Sequence, residues 1–127
     1  MADSDPRAAL LVKKVLVADL SEEEQQLVLE IAQTAYEKYV LQPTKSSWRK
    51  EDKQDPVWSR KMLEREVERT SMREMALYIK KELDAKLQPL WHVAYGRSFS
   101  AFVSYEKMSF IQCSIDGAEI VAWRHGR

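Results

Sequence analysis

Trp91-His92-Val93-Ala94-Tyr95-Gly96-Arg97-Ser98-Phe99-Ser100-Ala101-Phe102-Val103-Ser104-Tyr105-Glu106 is the stretch that decides the fold. It reads as two short extended runs around Gly96-Arg97-Ser98. In the second run Phe99, Ala101, Val103 and Tyr105 point one way, and Ser100, Phe102 and Ser104 point the other. A strand with usable side chains on both faces calls for full burial or for pairing with another chain along its free edge.

Downstream the period of two continues. Met108 to Ile115 and Ala118 to Arg124 are further strands, and Asp116-Gly117 between them signals a two-residue hairpin turn of the primed type. Upstream the pattern is helical. Gln88-Pro89 stops a helix whose apolar stripe is Met75, Ala76, Ile79, Leu83 and Leu87. Ser71 with Glu74 reads as a capping box, and Asp55-Pro56 as an earlier helix start, so 56–87 is either one helix or two. Between Val57 and Arg69, charge pairs such as Lys61 with Glu64, Arg65 with Glu68, and Glu66 with Arg69 describe a solvated helix. In a continuous helix Leu63 and Val67 fall on that charged face as exposed apolar residues.

Val40 to Gln54, with Pro43, Ser46, Ser47 and the run Arg49-Lys50-Glu51-Asp52-Lys53, has no period and reads as a loop. Before it, Ser21 and Glu24 form a capping box. Leu27, Val28, Ile31, Ala32, Ala35 and Tyr39 then make one stripe of a helix. Leu10 to Ala18 is a short strand, with Lys13 and Lys14 marking it as an edge, and residues 1 to 9 read as a disordered tail. This order predicts an α+β fold with helices on one face of an antiparallel sheet.

The chain has 127 residues with equal numbers of basic and acidic side chains, so the expectation is one domain with no field drawing it to nucleic acid or an acidic membrane. The single Cys113 excludes an internal disulfide and fits a reducing compartment. No stretch has the length of a membrane span, and the first ten residues lack a signal pattern, so a cytosolic or cytoskeletal protein is expected.

Leu20-Ser21-Glu22-Glu23-Glu24-Gln25-Gln26, Tyr36-Glu37-Lys38-Tyr39 and Ile79-Lys80-Lys81-Glu82-Leu83-Asp84 resemble the smallest, peptide-binding dynein light chains. So do His92, Gly96, Arg97, Phe99, Val103, Ser104, Tyr105 and Glu106, which stand at the spacing of that family's fingerprint. Ala94, Ser100 and Ala101 depart from it, and 40–70 is a loop and helix insertion relative to short members. The resemblance covers about 12–39 and 71–127 and marks a divergent relative.

It implies two main helices on a five-stranded antiparallel sheet, an inserted helical segment between them, and a dimer that exchanges the strand Phe99 to Ser104. A peptide would add as a further strand at the dimer interface, its backbone giving affinity and side-chain pockets giving selectivity. The groove carried over consists of Phe99, Ser100, Ala101, Phe102, Val103, Ser104, Tyr105, Phe110, Gln112 and Ser114. The dimer interface carried over consists of His92, Lys80, Phe102 and Ser104. Gln112 and Ser114 replace aromatic rings that each bury roughly 150–250 Å², which argues for a retuned groove rather than a general peptide hub. The implied partners are a dynein intermediate chain and a related light chain, as homo- or heterodimer, in cytoplasm and cytoskeleton, with the axoneme of a cilium as the expected place. The alternative is a freely diffusing peptide-binding adaptor of non-motor partners.

Catalysis is not expected. Cys113 has neither histidine beside it in sequence and reads as a packed small side chain, and no phosphate loop or metal-spaced cluster is present, so no cofactor or metal is expected. His92, if paired near its symmetry mate, would weaken a dimer in acid, whereas His125 reads as solvated. Trp48 and Trp58 lie among basic residues, but acids interleave almost one for one, so they read as anchors to a protein partner or to their own domain.

Overall fold

A computed structural model describes residues 5–48, 56–101 and 103–125. In chain order the elements are a 3-10 turn Ala8–Leu10, β1 Lys13–Asp19, α1 Glu22–Tyr36, a π turn Glu37–Leu41, α2 Gln42–Ser47, α3 Pro56–Lys86, β2 Trp91–Gly96, β3 Phe110–Ile115 and β4 Ala118–Arg124.

The expected capping box starts α1. Ser21 Oγ accepts from the Glu24 N–H at 3.2 Å, and Glu24 Oε1 accepts from the Ser21 N–H at 3.3 Å. The buried stripe of α1 is Val28, Leu29, Ile31, Ala32, Ala35 and Tyr36. The helix does not give way to a loop at Val40. It loosens into the π turn, where the Gln42 N–H reaches back to the Glu37 carbonyl, and then runs on as α2 to Ser47. Pro43 sits at the start of that new segment, where its missing N–H and fixed φ cost little. Burial of Val40, Leu41 and Thr44 holds the continuation in place. The remainder of the expected loop, 49–54, and the cap residue Asp55 lie outside the described residues.

Pro56–Lys86 is one helix, so Ser71 is mid-helix and its expected capping box with Glu74 does not form. Leu63 and Val67 are half-buried rather than exposed. Met75, Ile79 and Leu83 have no exposed surface. Each such side chain contributes roughly 1.5–3 kcal/mol of transfer free energy.

The sheet has four strands among the described residues, in the order β1-β3-β4-β2, all antiparallel neighbours. The expected fifth strand, Phe99 to Tyr105, is absent: its described residues pair with nothing as a ladder. A strand exists only as part of a backbone ladder, and among the described residues none is made to this run. Asp116 (φ 51°) and Gly117 (φ 88°) make the expected primed turn between β3 and β4.

The register divides the sheet side chains into two faces. Val93, Ala122 and Ile111 form one row of the inner face, and Tyr95, Ile120 and Cys113 the next, against α1 and α3. The outer face carries the rows His92–Trp123–Phe110, Ala94–Val121–Gln112 and Gly96–Glu119–Ser114.

From Asp5 onward the expected tail is instead seated on the helices. Arg7 donates to both oxygens of Glu64 at 3.1 Å and to Asp116, while Arg60 pairs with Asp5 at 2.6 Å and Glu64 at 3.2 Å. Glu64 is 2% exposed, so the expected Lys61–Glu64 surface pair gives way to a buried ion cluster.

Candidate functional site

Two features meet at one side of the sheet. β2 pairs only with β4, which leaves its other edge with no strand beside it among the described residues. The segment that leaves β2, Arg97 to Ser109, is then fixed at both ends, and its described residues make no ladder pairing between them.

Its first anchor is Arg97. Nε donates to Glu68 Oε1 at 2.8 Å and Nη1 to the Asp116 carbonyl at 3.2 Å. The Tyr95 hydroxyl donates to the other oxygen of Glu68. Burial and the adjacent Glu68 carboxylate push the Tyr95 hydroxyl far above its ordinary range, which keeps it a donor. Burial works against the Arg97 charge, but Glu68 outweighs it and holds the guanidinium protonated. Glu68 is 1% exposed and sits on α3, so the expected Arg65–Glu68 pair does not form. A mixed-sign helix sequence gives no hint of this, because the partners come from Tyr95 and Arg97.

Arg124 makes the second anchor. Its N–H donates to the Ser109 carbonyl at 3.1 Å, and its carbonyl accepts from the Glu106 N–H at 2.8 Å. Its guanidinium reaches the Pro89 carbonyl at 3.0 Å, Glu106 Oε1 at 3.2 Å and Ser109 Oγ at 3.3 Å. Asp19 accepts from the Met108 N–H at 2.9 Å. Just inside the anchors, Ser98 and Met108 both have φ of 58°, a left-handed backbone that costs a non-glycine residue on the order of 1 kcal/mol.

Between the anchors the segment lies on the outer face of its own sheet. A Cβ added at Gly96 would stand 3.0 Å from the Phe99 ring, and the Tyr105 ring stacks on Phe110 at 4.6 Å. Val121, on that same face, has no exposed surface. Phe99 and Val103 are half-buried, whereas Ser100, Ala101 and Ser104 are exposed. Phe102 lies outside the described residues.

Of the residues carried over for a groove, the fold thus brings Phe99, Tyr105, Phe110, Gln112 and Ser114 to one face. Gln112 Nε2 donates to Glu119 Oε1 at 3.3 Å, and Ser114 is 8% exposed. His92 shares that face, exposed, with its ring 5.5 Å from Trp123. Lys80 stands apart on α3. It pairs with Asp84 at 2.7 Å, and Asp84 in turn accepts the Trp91 N–H at 2.8 Å. Burial opposes ionisation of Asp84, but those two partners prevail and hold its carboxyl below the ordinary value. Cys113 faces the core, where burial pushes its thiol up to about 12.

A family model described as "Dynein light chain type 1" matches residues 13–125, across every strand and helix from β1 to β4. The chain belongs to the dynein light chain family. Among light chains, cytoplasmic dynein light chain 1 of Candida glabrata is 48% identical over 44 residues, 35% of this chain and 51% of the relative. The chain therefore matches about half the length of that curated relative. The light chain fold itself recurs in the dynein light chain-like domain of the Fasciola hepatica calcium binding protein FhCaBP2. Its native structure has a TM-score of 0.59 at 17% identity, with 98% of this chain and 100% of that chain covered. A mercury derivative of the same domain gives 0.56 at 19% identity, over 91% and 93%.

Proposed function

We propose that this light chain is a non-catalytic subunit that dimerises by exchanging Phe99 to Ser104 and holds a segment of a dynein intermediate chain by strand addition beside it. The observation that carries this reading is the coincidence of a β2 edge with no strand beside it among the described residues and a two-faced segment, anchored at Arg97 and at Asp19 and Arg124, whose described residues make no ladder in their own chain. A second copy supplies what each lacks: an edge for the segment and a strand for the edge. The groove residues then lie along the exchanged strand and on Phe110, Gln112 and Ser114. His92, Lys80, Phe102 and Ser104 lie at the dimer contact. The place of action in this reading is the cytoskeleton, in an axonemal motor.

Sedimentation equilibrium of the full chain tests the exchange. Two chains per particle are expected, each of 14.8 kDa. Ala101→Pro, which removes a ladder donor at a position with no ladder in the single chain, is expected to give folded monomer. A wild-type monomer at tens of micromolar would sink self-exchange. Capture from a ciliary extract then separates one stoichiometric complex with dynein chains from a scatter of short-motif partners, the result that would make the chain a general adaptor.

A further inference from the structure

β2 and β3 flank β4 on opposite sides, so the segment that joins them, Arg97 to Ser109, has to cross β4. Gly96 stands beside Glu119, and Phe110 beside Trp123. That register puts the two ends about 17 Å apart, whereas the chain between them could extend about 45 Å. The helices take the inner face, so the slack is laid over the outer one. Phe110 and Val121 are buried on that outer face yet stand apart from the core that the helices cover.

Two aromatic seats hold the crossing. The Tyr105 ring stacks on Phe110, with centroids 4.6 Å apart and planes inclined by 25°. The Phe99 ring fills the space over Gly96, where an added Cβ would meet it at 3.0 and 3.2 Å. Near the two ends of the crossing, Ser98 and Met108 are held at φ of 58°, a left-handed backbone that an extended strand would release. Tyr105 thereby covers Phe110, a residue of the proposed groove.

We infer that this crossing is an autoinhibitory strap: with Phe99 and Tyr105 seated on their own sheet the chain is a closed monomer, and exchange begins when both rings lift. The inference rests on the strand-exchange reading above and names what opposes it. The two forms exclude each other. The left-handed Ser98 folds Phe99 back over Gly96, whereas a strand leaving for a partner carries it away. Closure shields the apolar surface of Phe110 and Val121, which would otherwise lie open on a lone chain. It also taxes association, because only the opened fraction of the monomer can exchange. A change that unseats the strap and spares the exchanged strand therefore strengthens the dimer.

Gly96→Ala tests the strap directly. Gly96 is not left-handed, so alanine suits its backbone, and the atoms its methyl would crowd are those of the Phe99 ring. Sedimentation equilibrium over a dilution series of the full chain is expected to give a dimer Kd about fivefold lower than wild type, the scale of one overpacked contact. A Kd unchanged or raised overturns the strap. If that variant does not fold, Tyr105→Ala, outside the exchanged Phe99 to Ser104, decides in its place. Loss of the stack is then expected to lower the Kd about threefold. In the monomeric Ala101→Pro chain, nuclear Overhauser contacts are expected between the Tyr105 and Phe110 rings and between Phe99 and the Gly96 α-protons. Random-coil shifts at Phe99 and Tyr105 there would also overturn the strap. The two readings fail separately. A wild type that stays monomeric and shows those ring contacts keeps the strap and loses the exchange. A wild type that dimerises, with no ring contacts in Ala101→Pro and no gain in Gly96→Ala, keeps the exchange and loses the strap.

Discussion

The two halves of α3 put opposite chemistry on one stripe. In the second half Met75, Ile79 and Leu83 face the sheet with no exposed surface. In the first half the same angular track is taken by Glu64 and Glu68, which are equally buried. Apolar burial stabilises wherever shape and volume fit. A buried carboxylate persists only where donors are brought to it, and here they come from Arg7, Arg60, Tyr95 and Arg97. The second half of the helix thus belongs to the core, while the first half ties together the N-terminal segment, the β3–β4 turn and the start of the segment that leaves β2.

The largest effect should come from the core half. Ile79→Ala removes a fully buried side chain and is expected to lower stability by about 2–5 kcal/mol, read as a fall in urea midpoint at unchanged slope. A loss below about 1 kcal/mol would mean the site collapses freely and would dissolve the contrast between halves.

The charged half should respond to pairing rather than to volume. Glu68→Leu leaves Arg97 and Tyr95 without their acceptor and is expected to cost about 2 kcal/mol, less than a fully enclosed pair because Arg97 keeps some access to water. Adding Arg97→Met and Tyr95→Phe should recover most of that loss in the same urea titration. If the triple variant is no more stable than Glu68→Leu, the cluster is not held by charge and hydrogen bonding, and the comparison fails on that side.

The core half was legible in the sequence because apolar residues at spacings of three and four report their own burial. Ile79 and Leu83 and the Ser21–Glu24 capping box were readable for that reason, as was the Asp116-Gly117 turn from its dipeptide. Glu64 and Glu68 were not readable. A buried glutamate looks like a solvated one until its partners are known, and Arg7 and Arg97 stand 57 and 29 residues away in sequence. The run of α1 past Val40 was hidden because a π turn takes up Pro43 without breaking the helix. Phe99 to Tyr105 shows a different limit. Its alternation signals a strand, but a strand needs an edge, and a sequence cannot say which chain provides it.

The smallest effect concerns the outermost member of the charged half, Asp5. Burial opposes its ionisation, but the Arg60 guanidinium and the Arg7 N–H outweigh it and hold the carboxyl below its ordinary 3.8. A carboxyl whose folded-state value is depressed contributes stability that is complete above the unfolded value and is withdrawn as pH falls through the folded one. Wild type should therefore lose stability below about pH 4 more steeply than Asp5→Asn. At pH 7 the two should differ by less than about 1 kcal/mol, as befits a partly accessible pair. Parallel urea midpoints from pH 6 to pH 3 would detach Asp5 from the cluster, and the seat of the N-terminal segment would then rest on Arg7 alone.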